Sequence, residues 1–374
     1  MKTLIRQVLI LALFSFSSFP VISGPIHDAA ISGDISAIQS LLENKVNINI
    51  KDKKGFSALH YASEYGHTKL VKFLISKHAD VNAVSANIFT TPLSLAAKNG
   101  HNKVIELLLS NKADINKQND GGWNPLHFAV YYNHNNSVKI LLSHNADIEP
   151  RVQNLKTPLH KAAFKNYTDI IKTLISYKAD VNAVDENNMT PLHQAAAQGN
   201  SEAIQILLKN NALIDAVDNY DRRPLHYAAL SGNEKAAKIL LDNKSGVNPT
   251  HQGETPVLNL AITNKHLNIV KLLLKYNVDI QAKDHTGKTA LHTASSRAQA
   301  ETVELLLKHH ANINATDKYG RTALHFSAMM GHDNITKILL AKKADASLLD
   351  KNKKTALQLA KARSHKNTIS LLSK

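Results

Sequence analysis

The chain of 374 residues contains no cysteine. Disulfide staples are therefore excluded, as are thiolate nucleophiles and thiolate metal sites. Any fold must be held by packing and hydrogen bonds alone. Aromatic residues make up only 5% of the chain, with a single tryptophan, Trp123. The common catalytic signatures are also missing: there is no HExxH, no GxSxG, no P-loop and no GxGxxG. Leucine runs such as Leu107–Leu109 and Leu272–Leu274 are core-sized, far short of a membrane span.

What is present is first of all positive charge. The formal net charge is +15 and the pI about 9.6. A basic balance can serve nucleic acid, anionic lipid or an acidic protein. Here the lysines are spread along the chain rather than gathered in a block, so a solvated surface is the simpler reading.

Residues 1–23 read as an export signal. Lys2 and Arg6 form a positive start, and Val8 to Phe16 form an apolar stretch too short to span a bilayer. Val21 and Ser23 are small enough to precede a cleavage site between Ser23 and Gly24. The expectation is an exported chain, periplasmic or secreted, with no stable membrane insertion after cleavage.

The rest of the chain repeats. SALHYAS at Ser57, TPLHKAA at Thr157, TPLHQAA at Thr190, RPLHYAA at Arg223 and TALHFSA at Thr322 are five of eleven related segments. Their anchors run from Ile26 through Leu59, Leu93, Leu126 and onward to Leu357. Each step is 33 residues, except Leu59 to Leu93, which is 34. Thr suits a helix N-cap, and Pro suits the first helical position. Small pairs such as Ala162-Ala163 let neighbouring units approach closely. Gly or Asn then ends the helix where a left-handed backbone suits the turn, as at Gly66, Gly100, Asn166 and Gly199. A second amphipathic helix follows, with double-leucine cores such as Leu207-Leu208. Three units depart from the pattern at the inter-helix position, with Lys265, Ala298 and Ser364. Around residues 245–257 the turn signals sit one residue early, which predicts an irregular and weak hairpin.

This period and the T-P-L-H-x-A pattern resemble the ankyrin repeat family. The resemblance covers residues 25–374 and implies an all-α, right-stacked solenoid of about eleven 33-residue helix-turn-helix units joined by β-hairpin loops. The units run from about 24–51 to 350–374, behind a signal peptide at 1–23. The resemblance also implies that the recurring histidines His27, His60, His127, His160, His193, His226, His292 and His325 hydrogen-bond across hairpin backbones. A residue repeated in eight of eleven units is structural, because a catalytic site need occur only once. No catalytic, cofactor or metal site is therefore expected, and no enzyme.

The family binds proteins on a concave face made of hairpin tips and first-helix ends, so partner-binding residues should be those that the scaffold does not dictate. The candidates are Tyr65, Phe89, Trp123, Tyr131, Tyr132 and Phe164, with Lys98, Lys156 and Lys165 as a cationic rim. Tyr220, Arg222, Lys288, Tyr319 and Arg321 occupy similar free positions. The expectation is a monomeric, exported protein-binding scaffold, with a host-directed effector as one version. A periplasmic chaperone or inhibitor and a polyanion-binding surface are the alternatives; export argues against nucleic acid.

Overall fold

The computed structural model describes residues 24–86, 90–248 and 254–374. Residues 1–23, expected to be an export signal, and Phe89 lie outside the described residues. The chain divides at Ala146/Asp147 into two compact units. The first holds four helix pairs: α1 Pro25–Ser32 and α2 Ile35–Glu43, α3 Ala58–Glu64 and α4 Thr68–Ser76, α5 Pro92–Asn99 and α6 Asn102–Ser110, α7 Pro125–Tyr131 and α8 Asn135–Ser143. The second holds seven: α9 Pro158–Lys165 and α10 Thr168–Ser176, α11 Pro191–Gln198 and α12 Ser201–Lys209, α13 Pro224–Ser231 and α14 Glu234–Asp242, α15 Val257–Thr263 and α16 Leu267–Lys275, α17 Ala290–Ser296 and α18 Ala300–Lys308, α19 Ala323–Met330 and α20 Asp333–Ala341, α21 Ala356–Ala362 and α22 Lys366–Leu372.

Packing follows the sequence pattern. The anchor leucines up to Leu324 and the alanine pairs of the first helices are buried, as are Leu74, Leu108, Leu174, Leu207 and Leu273 of the second helices, while the last anchor, Leu357, is half-buried. Helices of seven to nine residues are too short to persist alone in water. Each therefore depends on its neighbours.

The links between neighbours are polar as well as apolar. In the second unit, the backbone N–H of Thr190 donates to Nδ1 of His193 at 3.0 Å. Nδ1 must then be bare, which places the ring proton on Nε2. That proton meets the carbonyl of Arg222, in the next tip, at 3.0 Å. The same double bond recurs at His160 to Met189, His226 to Thr255, His292 to Arg321 and His325 to Lys354. In the first unit it appears at His27 to Ile50 and His60 to Thr90. Each of these imidazoles caps its own helix and ties that helix to the following tip.

A second ladder joins the first helices to the start of the next second helix. His101 Nε2 lies 2.9 Å from the Glu64 carbonyl, and His134 Nε2 lies 2.9 Å from that of Lys98. Asn200, Asn233 and Gln299 make the same bond with amide nitrogens to Ala163, Ala197 and Ile262. These donors satisfy helix-end carbonyls that have no partner within their own helix. The ladder also explains Gly66. Its φ is +75°, and a Cβ there would lie 2.5 Å from Nδ1 of His101. Lys265, Ala298 and Ser364 hold the same left-handed conformation without glycine, at φ 62°, 57° and 59°.

The tips differ from the hairpins expected from the sequence. Among the described residues none forms a strand. Most described tips are instead Asx turns, although the tip between Val152 and Lys156 is built on a 3-10 turn at Gln153–Leu155. Asp185 Oδ1 accepts from the N–H groups of Asn187 and Met189, and Asp218, Asp284, Asp317 and Asp350 repeat the arrangement. A carboxylate does locally what a strand ladder would do.

Residues following the second helices form another left-handed column: Lys45, His78, Lys112, Asn145, Lys178, Asn211, Lys244, Asn277, His310 and Lys343. Their turns close with Schellman-type bonds, such as Ala79 N–H to the Leu74 carbonyl at 3.0 Å. A cation at this end also meets the negative pole of the helix dipole. Part of the dispersed lysine content is thus spent on capping.

Of the segment 245–257, expected to be irregular, residues 249–253 lie outside the described residues, and a buried ion pair ties the described positions on either side. Arg223 takes the place of the usual threonine. It donates to the carbonyls of Gly246 at 3.0 Å and Asn248 at 3.2 Å, and it pairs with Glu254 at 3.0 Å. Both side chains are buried. Removing one member strands the other charge, which costs about 3–5 kcal/mol. Arg223→Thr restores the repeat's usual cap, yet it should lower the melting temperature. Arg223→Thr/Glu254→Gln should recover part of the loss. A single variant as stable as the parent would contradict the pinning role.

The imidazole ladder also sets a pH limit. Burial pushes His60, His160 and His226 down to about 4, and it lowers His193, His292 and His325 as well. An unfolded chain takes up protons at these rings from about pH 6.5 downward. In the folded chain His60, His160 and His226 resist protonation until the pH approaches 4. Stability is therefore fully present above pH 6.5 and is lost as the pH falls toward 4. Each strongly depressed ring contributes on the order of 3 kcal/mol. Thermal melts should be flat from pH 8 to 7 and fall steeply between pH 6.5 and 4.

Candidate functional site

With the backbone committed to these ladders, function is left to side chains that the ladders do not use. In the first unit, three candidates come together at the last tip and helix. The N–H of Trp123 donates to Oδ1 of Asn119 at 2.8 Å, which fixes the indole at the tip. The indole packs against Phe128 and Tyr131, with ring centroids 5.3 and 5.1 Å away. Tyr131 in turn meets Tyr132 edge-on at 5.1 Å. The Lys98 ammonium lies 5.8 Å from the Tyr132 ring centroid. The result is a continuous half-buried string of Trp123, Tyr131 and Tyr132, backed by the buried Phe128, with a cation at its end. Edge-to-face pairs of this kind contribute ~0.5–1.5 kcal/mol each beyond area burial. The string is thus rigid as well as accessible. Burial, then the neighbouring Tyr131, raises the Tyr132 hydroxyl, so it stays a neutral donor at physiological pH.

Tyr65 is placed differently. It is 45% exposed at the end of α3, with its ring stacked on His67 at 6.2 Å.

The other candidates belong to the second unit. Lys156 sits on the tip before α9, 3.9 Å from Asp185. Phe164 and Lys165 lie near the end of α9, and Phe164 is 37% exposed. The Lys165 ammonium is 6.0 Å from the Phe164 centroid. Lys161 joins them, 5.8 Å from the same ring. Its amine is lowered to about 8 by burial and then by the charges of Lys165 and Lys156. Sequence reasoning passed over Lys161, although its spacing of four from Lys165 on a helix is a readable signal.

Further along the second unit, arginine and tyrosine pair at two tips three periods apart. The Arg222 guanidinium is 5.3 Å from the Tyr220 ring, and that of Arg321 is 4.6 Å from the rings of both Tyr319 and Phe326. Tyr220 and Tyr319 are 67% and 58% exposed. The signal was the repeated Tyr-x-Arg spacing.

Among the described residues, no group of three or more histidine, aspartate and glutamate side chains could hold a metal ion. No helix among them is long and apolar enough to cross a membrane.

A family model described as ankyrin repeats, three copies, matches this chain at 26–119, 66–154, 93–185, 159–252, 243–317 and 300–374. Alpha-latrocrustotoxin-Lt1a of Latrodectus tredecimguttatus is 42% identical over 60 residues, 16% of this chain and 4% of the toxin. Osteoclast-stimulating factor 1 of Danio rerio is 41% identical over 56 residues, 15% of this chain and 26% of that protein. Human ankyrin repeat and SOCS box protein 3 is 39% identical over 72 residues, 18% of this chain and 14% of that protein. The chain therefore spans well under two thirds of the length of these relatives. The crystal structure of the human ASB11 ankyrin repeat domain superposes with a TM-score of 0.54 at 31% identity, covering 60% of this chain and 99% of that domain.

Proposed function

Because this chain belongs to the ankyrin-repeat family, we propose that it is a non-catalytic scaffold that binds a partner protein outside the cytosol. Family membership supports the scaffold. The observation that carries the choice of surface is the string Trp123–Tyr131–Tyr132, which is rigid, half-exposed and unused by the repeat ladders. Rigid aromatic side chains make strong interface anchors, because little entropy is lost when they bind. Tyr65 and, from its place in the sequence alone, Phe89 are assigned to the same partner-binding role. Lys98 supplies a cationic rim. Phe164, Lys156 and Lys165 supply a second contact area on the other compact unit.

The export reading rests on residues 1–23, with their positive start, short apolar stretch and small residues before Gly24. A partner met after export is a periplasmic or extracellular protein, and a host-directed effector is one form of this reading. The protein acts as a monomer.

The test uses the full chain, expressed with its own N-terminus and a C-terminal tag in a Gram-negative host cell. Fractionation should place the protein outside the cytoplasm with residues 1–23 removed. Cross-linked pull-down from its natural compartment should recover a discrete partner. Trp123→Ala/Tyr131→Ala/Tyr132→Ala should abolish that recovery, and Lys98→Ala should weaken it about two- to fivefold, as rim charges do. Undiminished recovery by a triple variant of unchanged melting temperature would remove the aromatic string from the interface. Cytoplasmic retention of the uncut chain would remove the export reading.

A further inference from the structure

Two tips of the second unit carry nearly the same residues but use them differently. Asp218-Asn219-Tyr220-Asp221-Arg222 precedes α13, and Asp317-Lys318-Tyr319-Gly320-Arg321 precedes α19. In both, one carboxylate oxygen accepts the N–H groups two and four residues on, at 2.8 to 2.9 Å. In both, the arginine stacks on the tyrosine of its own tip. The second carboxylate oxygen is where they part.

At the later tip, Asp317 Oδ2 accepts Nε and an Nη of Arg321 at 3.0 and 2.7 Å. The edge of that guanidinium is therefore held inside the fold. At the earlier tip, Asp218 Oδ2 accepts the Tyr227 hydroxyl from α13 at 2.5 Å. The residue in the matching place on α19 is Phe326, which has no hydroxyl. In the first unit Tyr61, at the same spacing, takes Asp52 Oδ2 at 2.6 Å. A tyrosine nine residues after the tip aspartate thus claims the oxygen that an arginine would otherwise hold. Burial, then the bond to Asp218, pushes the Tyr227 hydroxyl up to about 12, so it donates throughout the physiological range.

Arg222 is in this way kept off its own aspartate. Among the described residues no carboxylate pairs with it, and its guanidinium faces the Tyr227 hydroxyl instead. It lies over the Tyr220 ring at 5.3 Å, and Tyr220 is 67% exposed. Stacking uses the face of a guanidinium and leaves the N–H groups of its edge, whose fork matches a carboxylate.

We propose that Arg222 and Tyr220 form a docking point for a glutamate or aspartate side chain of a protein partner. The carboxylate takes the edge of the guanidinium, as Asp317 does for Arg321, and an apolar neighbour of the acid lies on the Tyr220 ring. Charge complementarity identifies this occupant. A single fork with Asp218 and Asp221 on the same turn suits one carboxylate and not the clustered phosphates of a nucleic acid. Tyr227 acts through Asp218 and is a positioning residue. The inference rests on the reading of the chain as a protein-binding scaffold, but not on the aromatic string of the first unit.

The probe is the peptide acetyl-Leu-Glu-Leu-amide, titrated into the full chain at low salt while the arginine side-chain Nε–H groups are followed by ¹⁵N NMR. The control is acetyl-Leu-Gln-Leu-amide. The Arg222 resonance should shift with the glutamate peptide and not with the glutamine peptide, while that of Arg321 stays still. Tyr227→Phe opens Asp218 Oδ2 to Arg222 and should weaken binding at least about tenfold, the worth of a charge-assisted hydrogen bond. Phe326→Tyr should do the reverse, releasing Arg321 from Asp317 so that its Nε–H also responds to the peptide. A tyrosine that only supports packing would give neither result. Arg222→Lys keeps the charge, loses the fork and should weaken binding at least about fivefold. Trp123→Ala/Tyr131→Ala/Tyr132→Ala should bind the probe as the parent does, so failure here is distinguishable from failure of the aromatic interface.

A parent whose Arg222 does not respond to the glutamate peptide would overturn the proposal, as would a Tyr227→Phe variant that binds like the parent. Equal responses of Arg222 and Arg321 in the parent would reduce the effect to overall charge and overturn it too. A thymidine hexanucleotide bound more tightly than the peptide, with the same dependence on Arg222, would overturn it in favour of nucleic acid.

Discussion

The repeat stands on one imidazole used twice. Nδ1 accepts the N–H at the head of its own helix, and Nε2–H donates to the carbonyl of the next tip. Only the neutral ring with its proton on Nε2 can do both, so helix capping and unit stacking share a single protonation state. Helices of seven to nine residues gain their persistence from such neighbours rather than from themselves. Burial holds the rings neutral, and the neutral rings in turn make the burial affordable in hydrogen bonds.

This constraint explains why the rest of the polar inventory is so repetitive. The inter-helix donors at His101, Asn200 and Gln299 differ in chemistry but share one task, delivering an N–H to a helix-end carbonyl. Asx turns replace strands at the tips, and left-handed lysines and asparagines close the second helices. With the backbone satisfied in this way, many variable side chains stand outside the ladders. That freedom is what a binding scaffold requires. The aromatic string around Trp123 and the lysine group around Phe164 both occupy it, on separate compact units.

Much of this was legible in the sequence. The 33-residue period placed the anchor residues before Leu357 in the core and both helices of each pair where they are found. The histidines of the Leu-His pairs other than His127 bond across tips, as the family resemblance implied. Other features escaped because they do not repeat as letters. The inter-helix ladder alternates among His, Asn and Gln, so it shows only as a shared donor in three dimensions. The left-handed column after the second helices contains no glycine to mark it. Arg223 reads as a lapse from threonine until Glu254 is seen beside it. At the candidate site, the contact of Trp123 with Tyr131 follows from helix geometry. Lys161 looked like any lysine until Lys156 and Lys165 were placed around it.

The most direct test of the account is the state of the ladder imidazoles in solution. Long-range nitrogen–proton NMR correlation of the full chain, with ¹⁵N-labelled histidine, reports the tautomer of each ring. The account predicts that His60, His160, His193, His226, His292 and His325 are neutral at pH 6, with the proton on Nε2. Rings that are charged at that pH, or that carry the proton on Nδ1, would contradict it.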